Sequence, residues 1–244
     1  MVMRKIAALA ALLALGGCEG SEIVVPTSDQ PFLYLVLNEK SIDRSTPSGR
    51  VGQHALLLTA GAATEPPRYR TAERFEMRGA SDGAAFAWRK ERVPNEEPGS
   101  FPGVSLDFWN FHLPDAGQLG ASALKPGETY ELLVETGGEV IRGRVTVPAQ
   151  FAAATVERNG RRVAVWPRVA GAAGYRVELS DGRIAVQTDT SYVIPDEVLG
   201  GGAVEIEALD PNLFTYVAEN RTARAGVDNG YGVFGAITAA RLEF

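Results

Sequence analysis

Between Glu128 and Val147 the sequence alternates with period two on both sides of a Gly-Gly pair, and no other stretch constrains the fold as tightly. Tyr130, Leu132 and Val134 alternate with Glu131, Leu133 and Glu135. After Gly137-Gly138 come Ile141, Gly143, Val145 and Val147, alternating with Arg142, Arg144 and Thr146. Successive strand residues point to opposite faces, so each arm has an apolar face and a more polar one. A two-residue Gly-Gly loop suits the tight turns whose twist matches that of the strands they join. Counting back from Thr136 opposite Glu139 sets Tyr130 against Val145 and Val134 against Ile141. On the outer face it sets Glu131 against Arg144, a cross-strand pair worth about a few tenths of a kcal/mol. A slip of one residue would expose the whole apolar set. Pro148 closes the second arm.

The rest of the first half, 31–148, reads in similar short units. Phe32 to Leu37 is apolar on both faces and bounded by Pro31 and Asn38, which fits a buried strand. His54 to Ala60 is a second such run. Tyr69 to Met77 and Ala84 to Arg89 are further strand candidates, the first of them also open to a helical turn. The polar, Pro-rich residues 90–103 read as a surface loop, and Val104 to Phe111 as an aromatic-rich strand. With 27 Gly and 14 Pro among many short apolar runs, the composition suits an all-β fold with frequent turns.

In the second half, 151–244, Asn159-Gly160 marks a turn before Arg162–Pro167. Tyr175, Val177 and Leu179 then share one face, with Arg176 and Glu178 on the other. Asp181-Gly182 turns the chain into 183–187, Ser191–Ile194 is a short strand, and Val204, Ile206 and Ala208 alternate with Glu205 and Glu207. Strands at this spacing predict a sandwich. Over 154–210 the order of strand, Trp166, an AGAAGY loop and Tyr-x-Val-x-Leu resembles a fibronectin type III domain. Val163 and Val165 fall on the opposite parity from Trp166, which a bulge would reconcile, and the family's corner tyrosine would fall near Gly202. The fold class expected for the whole chain is thus all-β, two tandem β-sandwich domains of immunoglobulin-like or fibronectin type III-like kind.

Beyond residue 210, Gly235 to Phe244 reads as a closing strand with Leu242 and Phe244 inward. Gly230 to Gly235 matches G-x-G-x-x-G. A dinucleotide fingerprint needs a following helix and an acidic residue about 20 positions on, and only nine residues follow Gly235. The segment therefore reads as a Gly-rich turn opened by Asn229-Gly230, and no cofactor is expected.

Residues 1–17 have a short positive start at Arg4-Lys5, an apolar run from Ile6 to Leu15, and Gly16-Gly17. This is the layout of a secretory signal peptide, and the run is shorter than the roughly 20 residues a membrane span takes. Leu15-Gly16-Gly17-Cys18 resembles the lipobox of bacterial lipoproteins position by position. The resemblance implies cleavage between Gly17 and Cys18 and a lipid on the Cys18 sulfur, and Glu19 in place of Asp implies outer-membrane sorting. Residues 18–30 then form a lipidated tether. Cys18 is the only cysteine, so lipidation also accounts for a lone thiol in a secreted chain. Loss of Arg4 and Lys5 takes Lys plus Arg from 24 to 22 against 30 Asp plus Glu, and the formal net charge from −6 to −8. An acidic chain without a basic cluster is a poor nucleic-acid binder, so the lipid is expected to anchor it.

Catalytic patterns are missing. His54 and His112 are the only histidines; the first opens a strand and the second reads as a loop residue. No G-x-S-x-G, H-E-x-x-H or P-loop pattern occurs, and Glu96-Glu97 on a Pro-rich loop reads as a solvated charge cluster. No metal site and no enzyme activity are expected. Aromatic residues give the one site-like signal: Phe108, Trp109 and Phe111 on one strand, and Tyr231 and Phe234 in the Gly-rich segment. Core packing accounts for most of them, and an exposed subset would mark a partner or glycan surface.

Gly127 to Val134, Val145 to Pro148 and Gly230 to Ala236 resemble the GxTYxLxV, VTVP and GYGVFGA segments of a family of uncharacterised bacterial outer-membrane lipoproteins. These pair an N-terminal β-sandwich with a fibronectin-like second half and are often encoded near TonB-dependent receptors. The resemblance implies a lipid-anchored envelope protein that binds or scaffolds without catalysis. Its partners would be membrane lipid through Cys18 and a TonB-dependent receptor or another envelope protein. The alternative is a glycan-binding or adhesive module on the cell surface.

Overall fold

A computed structural model describes residues 31–38, 52–59, 68–69, 72–86, 88–93, 106–112, 124–218 and 224–244. Its first half holds β1 (Pro31–Asn38), β2 (Gly52–Thr59), β3 (Arg68–Tyr69), β4 (Arg74–Gly79), β5 (Ala85–Phe86), β6 (Trp88–Val93), β7 (Leu106–His112), β8 (Thr129–Thr136) and β9 (Glu139–Thr146). The second half holds β10 (Ala154–Arg158), β11 (Arg161–Val165), β12 (Gly174–Leu179), β13 (Ile184–Gln187), β14 (Ser191–Val193) and β15 (Ala203–Leu209). Helix α1 (Pro211–Ala218), β16 (Arg224–Ala225), β17 (Val227–Asp228) and β18 (Tyr231–Glu243) complete it. The fold is all-β. Among the described residues, no helix is long and apolar enough to cross a membrane.

The hairpin β8–β9 has the register its alternation predicts, from Thr136 opposite Glu139 to Tyr130 opposite Val145. Gly137 and Gly138 turn it, both with positive φ. With β4, β5 and β17 these strands form one sheet, in the order β17-β9-β8-β4-β5. A second, β10-β11-β14, lies in the other half. The largest runs β13-β12-β15-β18-β1-β2-β7-β6, with β16 beside β18 and β3 beside β2. This sheet continues through strands from both sides of residues 148–151.

β18 holds the arrangement together. Its first part runs parallel to β1, Phe32 opposite Tyr231 through Asn38 opposite Ile237. Its second part runs antiparallel to β15, Leu209 opposite Ile237 through Ala203 opposite Glu243. Side chains alternate along it. Phe234 and Ala236 join Leu33, Leu35, Met77, Tyr130 and Ile141 in the first core. Leu242 packs on the second core, built from Ala164, Trp166, Tyr175, Val177 and Ile206. Val233 and Ile237, on the opposite face, pack with Leu213 and Tyr216 of α1.

Several expectations change. The stretch 69–77 divides between β3 and β4, with no helical turn among its described residues, because residues 74–79 alternate against β8. Residues 90–93 belong to β6, not to a loop, since they pair with 106–109. His112 is the last residue of β7, opposite Gly52, and not a loop residue. β18 starts at Tyr231, four residues before the expected closing strand, because β1 offers it a parallel partner there. In the second sandwich, Ala164 and Trp166 point inward and Val163 lies on the other face between Val156 and Val193, so no bulge is required. Leu242 and Phe244 do pack on that core. No tyrosine occupies the corner near Gly202, but two others make the bond. Tyr130 Oη accepts from Lys125 N at 2.7 Å and Tyr175 Oη from Val169 N at 2.9 Å. Each reaches back a few residues to an upstream backbone group, as sandwich corners do.

Helix α1 has no counterpart in the expected elements. It buries one face of β15, which alternation assigns to solvent: Glu207 is fully buried there. The carboxylate is kept because Arg176 on β12 stands opposite it in register and binds it through both Nε and Nη2. Burial works against the Arg176 charge, but Glu207 outweighs it and holds the guanidinium protonated. Removing either partner would strand a buried charge.

Candidate functional site

The Asp210-Pro211-Asn212 turn at the end of β15 sets the geometry of the site. Proline suits the first position of a helix, where its fixed φ is already right and its missing N–H costs nothing. Aspartate before it is a favoured N-cap. Asp210 Oδ2 accepts from Asn212 N at 3.0 Å and Oδ1 from Leu213 N at 3.0 Å. Oδ1 also accepts from Ala236 N at 2.9 Å, and Asp210 N donates to Ala236 O. The carboxylate thus extends the β15–β18 ladder one step beyond the strand. Burial pushes its pKa up from 3.8 to about 6, against the pull of the three backbone donors.

Asn212 ties this turn to the hairpin. Its Nδ2 donates to Arg144 O at 2.9 Å and to Phe234 O at 3.0 Å. Gly226 fits against it with φ +72°, a conformation glycine adopts at no steric cost. A Cβ there would stand 2.2 Å from Asn212 Nδ2 and 2.5 Å from Phe234 O. Gly226 O in turn accepts from Arg144 N. Residues 224–228 are therefore clamped beside β9, with Val227 opposite Gly143 and Asp228 opposite Arg142.

The result is an open cleft of about 570 Å³ on the outer face of the β17-β9-β8 sheet. Three guanidinium groups line it, from Arg142, Arg144 and Arg224, with the carboxylates of Glu131 and Asp228. Arg142 and Arg144 are exposed because they occupy the outward positions of β9. Glu131 faces Arg144 across the ladder as its register predicts. Yet among the described residues neither Arg142 nor Arg144 forms an ion pair within 4 Å, so the expected cross-strand salt bridge is not made. Arg224 lies over the Tyr231 ring, its Cζ 4.8 Å from the centroid, a cation–π contact. Guanidinium forks bind planar or tetrahedral oxyanions bidentately, so the chemistry on offer is anion binding.

Of the residues singled out from sequence, Gly17 and Cys18 lie outside the described residues. Phe108, Trp109 and Phe111 all fall on β7, which lies between β2 and β6 in the main sheet. Tyr231 is half-buried under Arg224. Phe234 is fully buried in the first core, so it belongs to packing and not to a partner surface; it sits on the inward parity of a strand covered on both faces. Two of the three arginines were legible as outward positions of the hairpin. Arg224 and Asp228 were not, because strands of two residues leave no periodic trace.

Comparison of the chain with protein-family models gives no match, and comparison with curated proteins gives none either.

Proposed function

We propose that the chain is a lipid-anchored protein of the cell envelope that binds or scaffolds rather than catalyses, held in the outer membrane through an acylated Cys18. The observation that carries this reading is the place of the one cysteine, directly behind an apolar run and two glycines. Two or more acyl chains suffice for stable attachment, where one is marginal. The 12 residues from Glu19 to Gln30 span at most ~40 Å when extended, so the body stays close to the bilayer. A cleft rich in arginine and open to solvent supports binding as its mode of action. The resemblance set out above extends the reading to an accessory of an outer-membrane transporter, such as a TonB-dependent receptor. It also makes the second half fibronectin type III-like, which the packing of β10-β11-β14 on β13-β12-β15-β18 around one core supports.

The alternative, a surface glycan-binding module, rests on the aromatic residues and loses one of them with Phe234 in the core. Intact-mass measurement of the protein extracted from membranes tests the main reading, with Cys18→Ala as control. The expected result is a chain starting at acylated Cys18 and a variant that moves to the soluble fraction. A free Cys18 thiol, or a Cys18→Ala chain that stays with the membrane, overturns it.

A further inference from the structure

The start of β1 is next to the arginine cleft. β1 starts at Pro31, and a Cβ built on Gly230 would stand 3.0 Å from the Pro31 carbonyl oxygen and 3.6 Å from Ile141 Cγ1. Gly230 follows Asp228 by two residues, about 7 Å of chain, and Asp228 faces Arg142 across the ladder. Asn229, between them, donates to Val140 O of the hairpin. The Tyr231 ring beneath Arg224 belongs to the residue opposite Phe32. The start of β1 and the cleft thus lie close together.

We propose that the cleft of Arg142, Arg144 and Arg224 docks on the phosphate groups of lipid headgroups in the membrane that carries the anchor. The proposal rests on the lipid-anchor reading, which turns the start of β1 toward the bilayer. The mature chain would be strongly acidic, and its net charge opposes an anionic surface. Charges act over only about 8 Å at physiological salt, however, so the patch that meets the headgroups decides the sign. Arginine near such a surface raises partitioning about fivefold per residue. Glu131 and Asp228 line the same cleft and offset two of its three positive charges, leaving a net +1. Arg142 and Arg144 are exposed and form no ion pair among the described residues, so their forks meet a phosphate without first breaking a contact.

The test uses the mature chain with Cys18→Ala, free of acyl groups. It is sedimented with vesicles of phosphatidylcholine, with and without an equal part of phosphatidylglycerol, at low and at high salt. The expected result is roughly fivefold more binding to the anionic vesicles, lost at high salt and in Arg142→Gln/Arg144→Gln. Arg142→Lys/Arg144→Lys keeps the charge, and intermediate binding by it is expected. Equal binding by the parent and the Gln variant, with matching thermal melts, overturns the proposal. Inorganic phosphate bound at the cleft without any vesicle preference overturns the lipid source in favour of a soluble anion. The mass of Cys18 reads the anchor separately: arginine-dependent vesicle binding by a chain whose Cys18 is unmodified in cells removes the anchor and keeps the docking chemistry. An acylated Cys18 without arginine dependence removes the docking site alone.

Discussion

Asp210 accepts three backbone N–H groups from two different elements while only 1 % of it is exposed. Its pKa of about 6 lies above the 3.8 of a free aspartate, so between about pH 4 and pH 6 the folded state binds more protons than the unfolded one. Stability from this group is therefore complete below about pH 4 and lost as pH rises through about 6, a fall of up to about 3 kcal/mol. Most carboxylates act the other way. Glu76, Asp82 and Asp181 are held low by Arg74, by the Ala84 N–H and Lys125, and by Arg183, so they favour the fold as pH rises. Urea unfolding at pH 4.5 and 6.5 isolates Asp210. The Asp210→Asn chain is expected to lack the loss that the parent shows between these values. Parallel pH curves for the two chains would mean that this carboxyl titrates normally. Neither the helix that Asp210 opens nor its partner at Ala236 is among the expected elements, the partner because 26 residues separate the two.

β18 explains why elements differ in how well they can be read. The β8–β9 hairpin has one buried and one open face, so its alternation survives in the residue types and fixes the register. β18 is covered on one face by two cores and on the other by α1, so Val233, Phe234, Ala236 and Ile237 are all buried and no period-two pattern remains. The same helix turns Glu207 from an expected surface residue into a buried one. The test for this element is Phe234→Ala. Truncating a fully buried phenylalanine typically costs about 3–5 kcal/mol, and equilibrium unfolding should show it. A loss below about 1 kcal/mol would place the ring outside the core and return it to the surface.

At the scale of the molecule, the largest sheet takes strands from both halves of the chain, and β18 contributes to more than one core. Each half has its own turn spacing, and the link between them, β18 joined to β1 and to β15, is made about 200 residues along the chain from β1, where no local pattern announces it. Coupled unfolding follows. Trp166 reports on the second core and Phe234 lies in the first, so in a Trp88→Phe/Trp109→Phe background, where Trp166 is the one tryptophan left, Phe234→Ala should shift the Trp166 fluorescence midpoint together with the loss of far-ultraviolet β signal. A Trp166 transition that stays fixed while the other moves would show that the halves melt independently. The start of β1 at Pro31 has a mechanical side as well. A pull from ahead of Pro31 runs along β1, which is bound to β18 over seven register positions on one edge and to β2 over five on the other. Tension is then shared by every rung at once, as in a lap joint, and does not peel them off singly, so β1 resists a pull on the residues ahead of it.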